Sequence, residues 1–175
     1  MADCINVLKQ WTGKSKATLV FDSTIDEFTG DGLFNKVRGK RNIAIVGFTT
    51  DGDVFGVFFS VPVTKFEERF YDPNIFAFSF QSHGRCATPQ RFAVKAEMKE
   101  NAYLDFWKND TSGFVVFWVF GKGGFYLGNE SSESDCWNVS DAFEGLEDTT
   151  LTGKNGTCDE GPFHHCVRLI AVQLE

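Results

Sequence analysis

The chain has no Cys-x-x-Cys pair among its cysteines at 4, 86, 136, 158 and 166. An odd set at these spacings fits neither a disulfide framework nor a zinc ribbon, and it reads as reduced thiols. No apolar run reaches transmembrane length. The start, MADCINVLKQWTG, lacks the basic residues and uninterrupted apolar stretch of a secretory signal, so a cytoplasmic or nuclear home is expected. Basic residues are the minority, 17 Lys and Arg against 24 Asp and Glu. The net charge of −7 argues against a generally basic nucleic-acid surface and leaves room only for a local basic patch. Methionine is scarce, with 2 residues, whereas phenylalanine reaches 20 in a chain that is 42% hydrophobic. That composition excludes disorder and predicts aromatic-rich packing between sheets. At 175 residues, one domain spanning 1–175 is expected.

Periodicity gives the elements. Ile5, Leu8 and Trp11 fall at helical spacing behind Asp3 as a possible N-cap, with Gly13 as the stop. ATLVFDS (17–23) reads as a strand. DGLFNKVRG (31–39) reads as a short helix that turns Leu33, Phe34 and Val37 inward and ends at Gly39. In NIFAFSFQS (74–82), Phe76, Phe78 and Phe80 share one face and form a strongly buried side. RFAVKAE (91–97) alternates as a strand with one wetter face. FVVFWVF (114–120) is apolar on both faces, as a central strand covered on each side would be, and Gly113 and Gly121 bound it. CVRLIAVQL (166–174) closes the sequence as a further strand. Many short strands, few helices and strand-to-strand turns predict an α+β, mainly β fold: two packed antiparallel sheets, a β-sandwich, with short helices at the margins.

Four stretches carry the residue types of a site. DGDVFGVFF (51–59) sets Asp51, Asp53 and Gly56 at calcium-loop spacing, but Phe55 and Pro62 stand where the remaining ligands belong. Asp-Gly between the apolar runs 43–48 and 54–61 reads instead as a hairpin tip. TGKS (12–15) ends like a phosphate-binding loop, yet Leu8 stands where its first glycine belongs. GKGGFYLG (121–128) likewise misses the dinucleotide pattern at Tyr126 and reads as a glycine-eased turn. CDEGPFHHC (158–166) gathers Cys158, His164, His165 and Cys166. His164 and Cys166 would share a face while His165 points away, so a loop leading into the last strand is the better reading than zinc.

HGRCATPQRFAVK (83–95) offers Arg85, Arg91 and Lys95 as a patch for a partner or for nucleic acid, with Cys86 as a redox-sensitive thiol within it. Histidine next to cysteine at 83–86 also raises the thought of a thiol-dependent antioxidant enzyme. No G-x-S-x-G elbow is present, and no cofactor or metal is expected.

The order of these features resembles the TLDc domain family over about residues 11–175. The run FDSTIDEFTGDGLFNKVRGKRNIAIVGFTTDGDVFGVFF, ending in Val54-Phe55-Gly56, is similar to that family's strand, short helix and hairpin. NIFAFSF, Gly123-Gly124, SESDC (132–136) and the terminal strand resemble its later portions, although Ala171 and Gln173 stand where the family usually has an acid beside an aromatic. The resemblance implies a β-sandwich flanked by helices, no catalytic centre, and a role in oxidative-stress resistance. In several members that role runs through binding to the vacuolar proton-pumping ATPase. A redox-responsive nucleic-acid-binding transcription regulator is the alternative expectation, and a thiol-dependent enzyme the third.

Overall fold

The computed structural model describes residues 2–108, 114–129, 131, 134–156 and 163–175. Helix α1 (Ala2–Thr12) comes first, followed by strand β1 (Ala17–Asp22) and helix α2 (Gly30–Val37). Strands β2 (Ile43–Thr49), β3 (Val54–Phe59), β4 (Phe70–Tyr71), β5 (Phe76–Gln81) and β6 (Gln90–Ala93) follow. After a 3-10 segment (Ala96–Asn101) come β7 (Ala102–Phe106), β8 (Val115–Val119), β9 (Gly123–Leu127) and β10 (Cys136–Trp137). Helix α3 (Val139–Ala142) and β11 (Cys166–Leu174) complete the order. Among the described residues the strands form two antiparallel sheets, a large one ordered β1-β11-β2-β3-β5-β6 and a small one ordered β10-β9-β8-β7-β4. The fold is therefore α+β, mainly β, and the sheets pack as a sandwich. No helix among the described residues is long and apolar enough to cross a membrane, which says nothing of a β-barrel.

Period-2 alternation sends Ile43, Ile45, Phe55, Val57 and Phe59 of the large sheet inward to meet Leu104, Phe106, Phe117 and Phe125 of the small one. The hairpin at Asp51-Gly52 forms as its sequence predicts: Phe48 pairs with Val54, and Gly52 takes φ +84, which only glycine adopts without strain. Gly56 is required by close approach. A Cβ there would collide with the Ile45 carbonyl and with the ring of Phe78, its cross-strand partner.

The face carrying Phe76, Phe78 and Phe80 does not look into the sandwich. It forms a second core with Leu8, Val46 and Ile170 beneath α1, where Trp11 stacks on Phe80 at 5.7 Å and meets Phe76 edge-on at 6.3 Å. The opposite face of β5, with Ala77 and Ser79, is fully buried as well, so β5 has two buried sides rather than one. Helix α1 thus lies flat on the outside of the large sheet and not at its margin. It begins at Ala2, which places Asp3 inside the first turn instead of at the N-cap, and it stops at Gly13 with φ +69.

Two further expectations change. The strand at 91–97 ends at Ala93, because Lys95 N–H bonds to Ala142 O and the chain then coils into the 3-10 segment. β8 is the middle strand of its sheet, but it is fully covered on one face only: Val115, Phe117 and Val119 are buried inward, whereas Trp118 on the outer face stays partly exposed. Gly113, the expected boundary of that strand, lies outside the described residues. β11 sits between β1 and β2, so the last segment of the sequence is interior to the large sheet.

Candidate functional site

A cluster of paired charges gathers at the end of the large sheet, where the β2–β3 hairpin turns. Asp53 is 1% exposed, and its Oδ1 accepts from Arg85 Nη2 at 2.5 Å. Arg85 also donates from Nε to Thr150 O at 3.0 Å and from Nη2 to Leu151 O at 3.3 Å. One guanidinium therefore ties the hairpin to the 150–151 segment, using the planar fork that suits this task. Burial pushes the Asp53 carboxyl up, while Arg85 and then His83 pull it down. Next to it, Lys154 Nζ lies 2.7 Å from Asp51 Oδ2, and this bond holds the Asp51 carboxyl below its ordinary range. His83, left-handed at φ +50, places Nε2 2.7 Å from Asp51 O and 3.7 Å from Asp53 Oδ1. Both aspartates of the calcium-like spacing are thus engaged by cations of the chain itself.

The structure separates the residues of the 83–95 patch. Arg85 is committed to Asp53 at the hairpin end. Arg91 instead donates Nη1 to Trp11 O at 2.7 Å and lies over Phe76 beside the C-terminus of α1. Lys95 follows β6, partly buried, where its backbone joins α3. Cys86 is partly buried against the main core, and its N–H bonds to Ser82 Oγ at 2.7 Å.

Of the CDEGPFHHC segment, Cys158 lies outside the described residues. His164 and Cys166 share the inward face as the alternation predicts, at 1% and 0% exposure. The His164 ring packs edge-on to Phe55, with Nε2 3.1 Å from Tyr126 O, and burial lowers its pKa to about 3. It is a neutral core histidine that donates to a carbonyl. Burial also raises the Cys136 thiol well above its ordinary value and lifts that of Cys166 to about 12. Among the described residues no group of three His, Cys, Asp or Glu side chains is placed to hold a metal.

A feature the sequence reading missed lies on the outer face of the small sheet. The register aligns Tyr71, Tyr103, Trp118, Gly124 and Trp137 in one row across β4, β7, β8, β9 and β10. Gly124 has no side chain, so Trp118 and Trp137 close over it and stack at 5.0 Å and 21°. Tyr126 stands 6.0 Å from Trp118, with Trp107 behind it at 5.9 Å. At the other end, Arg69 sits 4.8 Å over Tyr103 and 5.4 Å over Phe120. Tyr71 is 50% and Phe120 59% exposed. The signal in the sequence was the outward positions of FVVFWVF, GGFYL and CW, but only cross-strand register puts them in line.

A sequence model of the TLDc domain matches residues 2–158, a span that takes in α1 and most of the sandwich. No curated protein matches the chain.

Proposed function

Because the chain belongs to the TLDc domain family, we propose that it is a non-catalytic binding domain of the oxidative-stress response, with the vacuolar proton-pumping ATPase as its protein partner. The aromatic row on the small sheet carries this reading. Trp, Tyr and Arg are the residue types that anchor protein interfaces, and here Trp118, Trp137, Tyr71 and Arg69, all at least partly exposed, flank the buried Tyr103 on one sheet face. The reactive side chains support it too. Arg85 is bound to Asp53, and Cys136 and Cys166 are sheltered thiols of raised pKa. The alternative of nucleic-acid binding rests on Arg91 and Lys95 once Arg85 is committed.

The two readings separate in one binding experiment with the purified chain. Immobilised vacuolar ATPase should retain it at physiological salt, while duplex DNA should not. Retention on DNA that weakens steeply as salt rises, with none on the ATPase, would replace the proposal.

A further inference from the structure

Beside the C-terminus of α1, on the opposite side of the molecule from the aromatic row, lies a cleft of about 320 Å³. Its wall is aromatic: Phe58 and Phe76 stack at 4.9 Å, and Trp11 meets Phe76 edge-on. Two cations, Lys14 and Arg91, line it, and no carboxylate does so among the described residues. This is a local excess of positive charge in a chain of net charge −7. The Lys14 side chain makes no ion pair or hydrogen bond with the described residues. Arg91 spends one Nη1 donor on Trp11 O, the helix-terminal carbonyl that would otherwise repel an anion, and the other donors of its fork make no hydrogen bond with the described residues. The polar wall is set from behind. Buried Asp72 accepts from the Ser60 backbone and hydroxyl and from Asn74 N, and Asn74 Nδ2 in turn donates to Ser60 Oγ at 3.3 Å. Asn42, left-handed at φ +56, supplies a second amide.

We propose that this cleft binds a small organic phosphate: the phosphate between Lys14 and Arg91, and a flat apolar body against Trp11, Phe58 and Phe76, with the amides of Asn42 and Asn74 at its edge. The volume suits a ligand of mononucleotide size. Lysine and arginine together supply the point charge and the fork that a dianionic phosphate takes up. The lysine belongs to TGKS, which fails as a phosphate-loop motif because Gly13 ends a helix where that motif would begin one. Lys14 reaches this cleft by the end of α1, not by a glycine loop.

The test titrates the full chain, ¹⁵N-labelled, with adenosine monophosphate, adenosine and inorganic phosphate in turn. Adenosine monophosphate should shift the amides of Lys14, Asn42 and Asn74 saturably, at concentrations about tenfold below those needed for either fragment. Lys14→Gln should weaken that binding about tenfold and leave the remaining spectrum in place, while Lys65→Gln, at an exposed lysine that does not line the cleft, should change nothing. Adenosine binding as well as its monophosphate, inorganic phosphate matching it, or an unchanged affinity in Lys14→Gln would each overturn the proposal, as would shifts confined to other residues.

Discussion

Arg85 Nη2 lies 2.5 Å from Oδ1 of Asp53, a carboxylate 32 residues earlier in the chain that is 1% exposed. Removing the cation leaves a buried charge without its partner, which costs far more than the pair itself is worth. Arg85→Ala is expected to destabilise the fold by about 3 kcal/mol in urea denaturation, whereas the double variant Arg85→Met, Asp53→Leu recovers part of the loss. The loss in Arg85→Ala should shrink on acidification. A carboxyl whose folded pKa is raised disfavours folding above that pKa and ceases to do so once both states are protonated. A loss that grows as pH falls would contradict this account of the pair.

Gly56 and Asp51 lie in one hairpin but differ in what surrounds them. Gly56→Val drives side-chain atoms into the Ile45 carbonyl and the Phe78 ring and should cost about 3 kcal/mol or more. Asp51→Asn removes an exposed pairing with Lys154 and should cost under about 1 kcal/mol. Thermal melts of the two variants check the difference, and equal losses would count against the packing described.

Asp22 takes two hydrogen bonds from Arg168, at 3.0 and 2.5 Å, and these lower its pKa from 3.8 to about 2. A depressed carboxyl stabilises the fold above its unfolded pKa, and that contribution disappears as pH falls through the folded value. Arg168→Gln should therefore lie about 1–2 kcal/mol below the parent at pH 6 and converge on it between about pH 4 and pH 2. Denaturant titrations across that window read the convergence directly.

The cysteines divide by burial. Cys4 and Cys86 are partly exposed, while Cys136 and Cys166 are closed within the sandwich. Under excess peroxide, mass spectrometry should find oxidation at Cys86 and Cys4, with Cys136 and Cys166 protected until the chain unfolds. With a recycling thiol present, peroxide should not be consumed over multiple turnovers; turnover lost in Cys86→Ser would establish an enzyme.

Local signals in the sequence carried the hairpin, the short helix 30–37 and most strands, because Asp-Gly, Gly39 and the alternation of Phe with small residues act within a few positions. What covers those strands was not legible. Nothing near Phe78 says that Trp11, 67 positions earlier, closes over its face, or that Asp22 pairs with Arg168 at the far end of the chain. The candidate sites share this limit. Arg85, Arg91 and Lys95 are close in sequence, yet a β-turn and half a strand send Arg85 to Asp53 and Arg91 to Trp11. The aromatic row likewise exists only once five strands are in register.

That row bears the central claim, and it is tested most directly by measuring the affinity of purified vacuolar ATPase for the immobilised chain and for three folded variants. Tyr71→Ser alters the exposed ring at the end of the row, Phe120→Ser the exposed ring beside it under Arg69, and Leu19→Ser an equally exposed residue on the large sheet. The account predicts saturable binding by the parent chain, weakened tenfold or more by Tyr71→Ser and Phe120→Ser and unchanged by Leu19→Ser. Absence of binding, or equal binding by all three variants, would contradict it.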